Sequence, residues 1–144
     1  MHFPQPHCVF KTLIYYSRMK KVYSSSAETG LPFSEVVEVN GFAYISGQIH
    51  LDDTGNLIAG DIKAKTHQTM KNVAKALKSA GLSFSDVVKM EIFLPDLSER
   101  NDVSEVYTTY LSHPYPTRTM IGVNELPMGA DIEITAIAVR PTEK

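Results

Sequence analysis

The chain has 144 residues, enough for one domain whose core needs no covalent staples. Apolar residues make up 43% and charged residues 21%, with a net charge of −2, so no electrostatic grip on nucleic acid or on anionic lipid is expected. A single cysteine, Cys8, rules out an intrachain disulfide and points to a reducing, cytoplasmic setting. No apolar run approaches the ~20 residues that a membrane-spanning helix needs.

Residues 1–27 contain no acidic side chain, while Lys11, Arg18, Lys20 and Lys21 are basic. With one arginine and with Pro4 and Pro6 near the start, this stretch makes a poor amphipathic transit peptide. The apolar piece "VFKTLIYY" is too short and too interrupted for a secretory core. We therefore read residues 1–18 as an N-terminal extension and 19–144 as a single domain. Were the extension a transit segment, the mitochondrion would be the destination.

The first strong local signal is "SEVVEVNGFAYISG", two strands joined by the hairpin turn Asn40-Gly41. A second turn, "DDTGN", leads through Gly60 to a helix with Asp61 as its N-cap and Gly81 just past its end. Between them Ile62, Thr66, Met70, Val73, Ala74, Leu77 and Ala80 recur at helical spacing and predict the buried face. "DVVKMEIFL" alternates, so it predicts a strand with Val88, Met90, Ile92 and Leu94 on one side. Ser98 is the expected cap of a second helix, whose apolar stripe runs through Val103, Val106, Tyr107, Tyr110 and Leu111. Pro114 and Pro116 end that helix. Strands over 119–123 and 132–139 follow, separated by a turn in "ELPMGA".

The resulting order is strand, strand, strand, helix, strand, helix, strand, strand: an α+β layer with both helices on one face of the sheet. The opposite face is then uncovered. Val87, Phe93, Ile137 and Val139 are expected on it, and so much exposed apolar surface predicts self-association.

Most catalytic signatures are absent: no P-loop, no GxGxxG after a strand, no HExxH and no CxxC. The five histidines show no metal-ligand spacing. His67 reads as a surface histidine on a helix. His50 with Asp52 and Asp53 reads as a polar hairpin tip rather than a metal site. Cys8, in the extension, is a poor nucleophile.

Two charges stand out in segments that otherwise read as core strands. Arg118 follows a rigid Pro-x-Pro-x entry, and its planar fork matches a carboxylate bidentately, which suits it to anchor a small anionic substrate. Glu133 sits between Ile132 and Ile134. If another subunit covers its face, partial burial would push its pKa up. On residue pattern alone, an ion pair between the two or simple solvation is the plainer account.

Four segments together alter that balance: "YISGQIHLDDTGNLIAGDI", "AKALKSAGLSFSDVVKMEIFLPDL", "EVYTTYL" and "PTRTMIGVNELPMGADIEITAIAV". In this order they resemble the YjgF/RidA family of reactive-intermediate deaminases, from about Met19 to Val139. The specific marks are Ser-Gly-Gln at 46–48, Pro-x-Arg at 116–118 and "LP…IEI-AIA" at 126–138.

The resemblance implies a chorismate-mutase-like α+β fold, a ferredoxin-like sheet with two helices on one face, closing into a homotrimer with an inner barrel and clefts between subunits. It implies hydrolysis of enamines and imines such as 2-aminoacrylate to 2-keto acids and ammonia, without metal or organic cofactor. It assigns Arg118 to the substrate carboxylate, Glu133 to the hydrolytic water, and the Ser46-Gly47 backbone to the cleft wall. Three cleft positions depart from the family pattern. Phe33 stands where many members carry tyrosine, Met120 where cysteine is common and Ser104 where asparagine is frequent. A second reading, a protein that binds 2-keto acids without turnover, fits the polar groups lost at Phe33 and Ser104. An RNA-directed activity has little support, since no basic-aromatic patch is visible.

Overall fold

The computed structural model describes residues 20–23 and 30–142. Cys8 and the whole N-terminal extension lie outside the described residues. The elements are β1 (Lys21–Tyr23), β2 (Val36–Val39), β3 (Phe42–Ile49), α1 (Ile62–Ser79), β4 (Val87–Leu94), α2 (Arg100–Thr109), β5 (Thr117–Gly122) and β6 (Glu133–Val139). They form one six-stranded mixed sheet in the order β1-β2-β3-β6-β4-β5. Only β4 and β5 pair in parallel, as expected for two strands joined through a helix.

Local chemistry explains most boundaries. Asn40 and Gly41 both adopt positive φ, which a two-residue hairpin turn of this twist demands. Asp61 caps α1 by accepting from the Ala64 amide at 2.8 Å. At the other end Gly81 takes φ +71°, and the amides of Gly81 and Leu82 return to the carbonyls of Lys78 and Leu77. The second helix starts differently from expectation. Asp96, not Ser98, accepts from the Ser98 amide and opens a short 3-10 turn that runs into α2. An aspartate two residues earlier reaches the first unpaired N–H before Ser98 can act as a cap.

Both helices pack on one face, through a cluster that includes Ile45, Met70, Val73, Leu77, Met90, Ile92, Val103 and Ile134. On α1 the buried stripe takes in Thr69 and Ala76, while Ala74 is only half-buried. The sidedness expected for the start of β4 is reversed: Val87 is 7% exposed and belongs to the core, while Val88 is 44% exposed. A register shift against β6 between Val87 and Lys89 is the reason, since one extra residue turns the strand over locally. From Met90 onward the alternation holds.

The other face is open in this chain. Phe42, Tyr44 and Ile121 are exposed on it, and Phe93, Ile137 and Val139 are half-buried. A Lys89–Glu91 ion pair at 2.7 Å lies among them. On the helix side, Glu38 is buried and takes two bonds from the Arg140 guanidinium, at 2.8 and 2.7 Å, plus one from the Tyr23 hydroxyl. Arg140 also donates to the Ala80 carbonyl, so one side chain ties β2, β6 and the end of α1 together.

Candidate functional site

Glu133 opens β6 on the open face, opposite Ile49 of β3 and Phe93 of β4. Beside it β3 carries an extra residue: Ile45 pairs with Ala136 but Gln48 with Ile134, which places Ser46 and Gly47 in a bulge. A side chain at Gly47 would displace the Glu133 carboxylate. A methyl group at Gly47 would come within 2.8 Å of the Glu133 carboxyl carbon. Ser46 fastens the bulge, its hydroxyl donating to the Ser34 carbonyl at 2.6 Å and its amide to the Glu35 carbonyl at 2.9 Å. Burial raises the Glu133 carboxyl above the ordinary carboxylate range. A cavity of about 800 Å³ opens over this carboxyl, with Phe33, Ser46, Gly47, Pro127 and Met128 in its wall.

Arg118 lies on β5, the edge strand. Its Nη1 donates to the Ser104 hydroxyl at 3.0 Å, and its guanidinium carbon stands 5.1 Å from the centre of the Tyr107 ring. Ser104 and Tyr107 are three apart on α2 and so share a helix face. One offers an acceptor and the other a π surface, which together hold the fork while leaving donors for a ligand. Met120, two residues on, is half-buried and packs against the core.

These two groups do not meet within one chain. Arg118 pairs with Met90, and Met90 with Ala136, a row that faces the helices. Glu133 pairs with Phe93, and Phe93 with Ile121, a row that faces away. The side chains therefore project from opposite faces. Two strand spacings and three residues of rise put their Cα atoms about 14 Å apart. A direct ion pair, the plainer account from the sequence, is excluded. The structure gathers Phe33, Ser46, Gly47 and Glu133 at one end of the sheet and Ser104, Arg118 and Met120 at its β5 edge.

Tyr107 was legible only as part of an apolar stripe, and its role under Arg118 depends on where β5 lies. Its hydroxyl is buried without a hydrogen-bond partner among the described residues. Pro127 and Met128 fell within a segment that read as a plain turn. Asn72 was also missed: its amide donates to the carbonyls of Ile49 and Leu51, pinning the end of β3 to α1.

Asp52 behaves as a turn residue, accepting from Thr54 and Asn56. His50 does not belong to that polar tip. It is 1% exposed, and its Nε2 accepts from the Asp131 amide at 3.1 Å. Burial, then the nearby Lys65, lowers its pKa and keeps it neutral, with the proton on Nδ1. His67 is exposed, as expected, and bonds the Tyr110 hydroxyl at 2.9 Å. Among the described residues no three His, Cys, Asp or Glu side chains converge as a metal site would require, and no helix is long and apolar enough to cross a membrane.

Residues 24–140 match the family described as Endoribonuclease L-PSP. A human 2-iminobutanoate/2-iminopropanoate deaminase is 37% identical over 127 residues, covering 86% of this chain and 93% of the relative. Among solved structures, RidA from an Antarctic Psychrobacter species superposes with a TM-score of 0.73 at 38% identity, over 76% of this chain and 89% of that one. E. coli TdcF with bound serine gives 0.73 at 34% identity, over 77% and 90% respectively.

Proposed function

The chain belongs to the Endoribonuclease L-PSP family, which is the YjgF/RidA family, and on that premise we propose that it is a cofactor-independent hydrolase of reactive imines and enamines such as 2-aminoacrylate, releasing 2-keto acids and ammonia in the cytoplasm. The observation that carries this reading is the pair of half-sites on opposite sheet faces. Among the described residues, Glu133 is a carboxylate in a cavity with no cation against it, and Arg118 is a guanidinium on an edge strand with no carboxylate against it. A homotrimer that covers the open face and sets the β5 edge of one protomer at the Gly47–Glu133 cavity of the next would complete both.

The chemistry follows from the two groups. The enamine tautomerises to an imine, and protonation of the nitrogen makes the imine carbon electrophilic. Arg118 grips the substrate carboxylate with two parallel N–H donors and so fixes where that carbon lies. Glu133 holds a water against the carbon and takes its proton as the C–O bond forms, and its raised pKa suits a general base. The carbinolamine then collapses: Glu133 returns its proton to the nitrogen, the C–N bond breaks as ammonia leaves, and the hydroxyl releases its proton to solvent as the C=O bond of the keto acid forms. Ser46 and Gly47 shape the wall that keeps the carboxylate in place, and Ser104 and Tyr107 orient the arginine. Met120 offers no thiol at its position and acts by packing.

The test is pyruvate release from 2-aminoacrylate generated by a serine dehydratase, with Arg118→Ala alongside. Acceleration by the wild type and its loss in the variant are expected; no acceleration, or full activity in Arg118→Ala, sinks the proposal. Sedimentation at micromolar concentration should give a trimer. The absence of a hydroxyl at Phe33 favours one second reading, a 2-keto acid binding protein without turnover. Calorimetric binding of a keto acid alongside absent turnover would establish it.

A further inference from the structure

The Glu133 cavity is lined by polar and apolar side chains together, and one of the apolar ones stands on backbone in the left-handed region. Met128 is the most exposed of the large apolar residues described, at 64%, and it adopts φ +59°. Side chains rarely take that conformation, whereas glycine takes it readily. Gly129, the next residue, takes φ +73°.

The turn is held from both sides. The Gly129 amide donates to the Leu126 carbonyl and the Ala130 amide to the Pro127 carbonyl, while Ala130 and Ile132 anchor it in the core. Met128 is thus presented at the cavity by a fixed turn, with an adaptable thioether chain at its tip. Phe33, 51% exposed, lines the same cavity. Of the charged residues that line it, Asp52 serves its own turn, Lys75 faces Asp53 at 3.7 Å, and Glu35 and Glu133 bring two further carboxylates.

Volume alone does not decide what enters, because a second protomer bringing Arg118 must occupy part of the same space. Side-chain chemistry does. A three-carbon imine bound through its carboxylate and its reacting carbon has only a methyl group to offer Phe33 or Met128. A longer apolar side chain offers more, and burying it there removes water from both partners.

We infer that Met128, with Phe33, makes this cavity select 2-imino acids carrying an extended apolar side chain over the three-carbon imine, with Met128 as the specificity-determining residue. The inference rests on the imine-hydrolase reading above. It goes further in naming the substrate class.

The test compares kcat/KM for the imines of alanine, leucine and phenylalanine, generated in situ by an amino acid oxidase, in the wild type and in Met128→Gly and Met128→Lys. Glycine suits the backbone at this position, so Met128→Gly removes the side chain while relieving the turn. The wild type should prefer the leucine-derived imine over the alanine-derived one by at least ~10-fold, the scale of discrimination by a hydrophobic pocket. In both variants that ratio should fall by roughly 5-fold or more. Hydrolysis without side-chain preference, or a ratio unchanged in Met128→Gly, overturns the inference and leaves the imine-hydrolase reading standing. So does an equal loss on all substrates accompanied by a changed sedimentation coefficient, which would make Met128 a subunit contact. Hydrolysis of none of the imines overturns both.

Discussion

Gly47 and Glu133 are neighbours only because Gly47 has no side chain: a methyl group there would fall 2.8 Å from the Glu133 carboxyl carbon and 3.1 Å from its Cγ. The displaced atoms are the end of a flexible side chain, and Gly47 does not need a left-handed backbone. Gly47→Ala should therefore leave the unfolding free energy within about 1 kcal/mol of the parent while moving the carboxylate out of position. On the proposed mechanism kcat/KM should fall about 100-fold, since such a displacement disrupts the placement of the water. Chemical denaturation and the imine assay, run on the same preparation, separate the two effects. A strongly destabilised variant would show that Gly47 serves the fold instead.

Because Arg118 and Glu133 project from opposite faces, a cleft that uses both must draw them from different chains. Arg118→Ala and Glu133→Gln should each be inactive alone. Refolded together in equal amounts, they should recover about a quarter of wild-type turnover, the fraction of clefts that inherit both intact groups. No recovery in mixed assemblies would refute a shared cleft.

The buried groups give the pH dependence a definite sign. The pKa of His50 is lowered from 6.5 in the folded chain, so the unfolded chain takes up the proton first as pH falls. Stability should be complete above pH 6.5 and decline below it, until the folded-state pKa is reached. His50→Gln, which keeps an acceptor for the Asp131 amide, should flatten that decline in a series of thermal melts. Activity should show a separate acid limb. Glu133 must be ionised to act as base and its pKa is raised above 4.5, so kcat/KM should begin to fall at a higher pH than an ordinary carboxylate would impose.

The Arg140–Glu38 contact predicts a stability effect remote from the cleft. Glu38 is 4% exposed and Arg140 holds its carboxyl below the usual range, so removing the guanidinium strands a buried charge and releases the Ala80 carbonyl. Arg140→Leu should cost about 3 kcal/mol of unfolding free energy by urea denaturation. The penalty should shrink at acid pH, where Glu38 is protonated. A cost below about 1 kcal/mol would mean that solvent replaces the arginine.

What was legible in the amino-acid sequence was local. The Asn40-Gly41 turn, the Asp61 cap and the Gly81 stop each follow from chemistry within a few residues, and the alternation in 90–94 and 133–139 reports which side of a strand is buried. Arg118 and Glu133 stood out too, because charges in strand-like segments need a reason. Tertiary pairing decided the rest. The bulge at the start of β4 turned Val87 inward and Val88 outward, and no property of two adjacent valines distinguishes them before β6 is in place. Strand order and register put Arg118 on the helix side and Glu133 on the open side, with Tyr107 beneath one and Gly47 beside the other. These are consequences of contacts far apart in the chain, and a side-chain period of two conveys sidedness only once the partner strand is known.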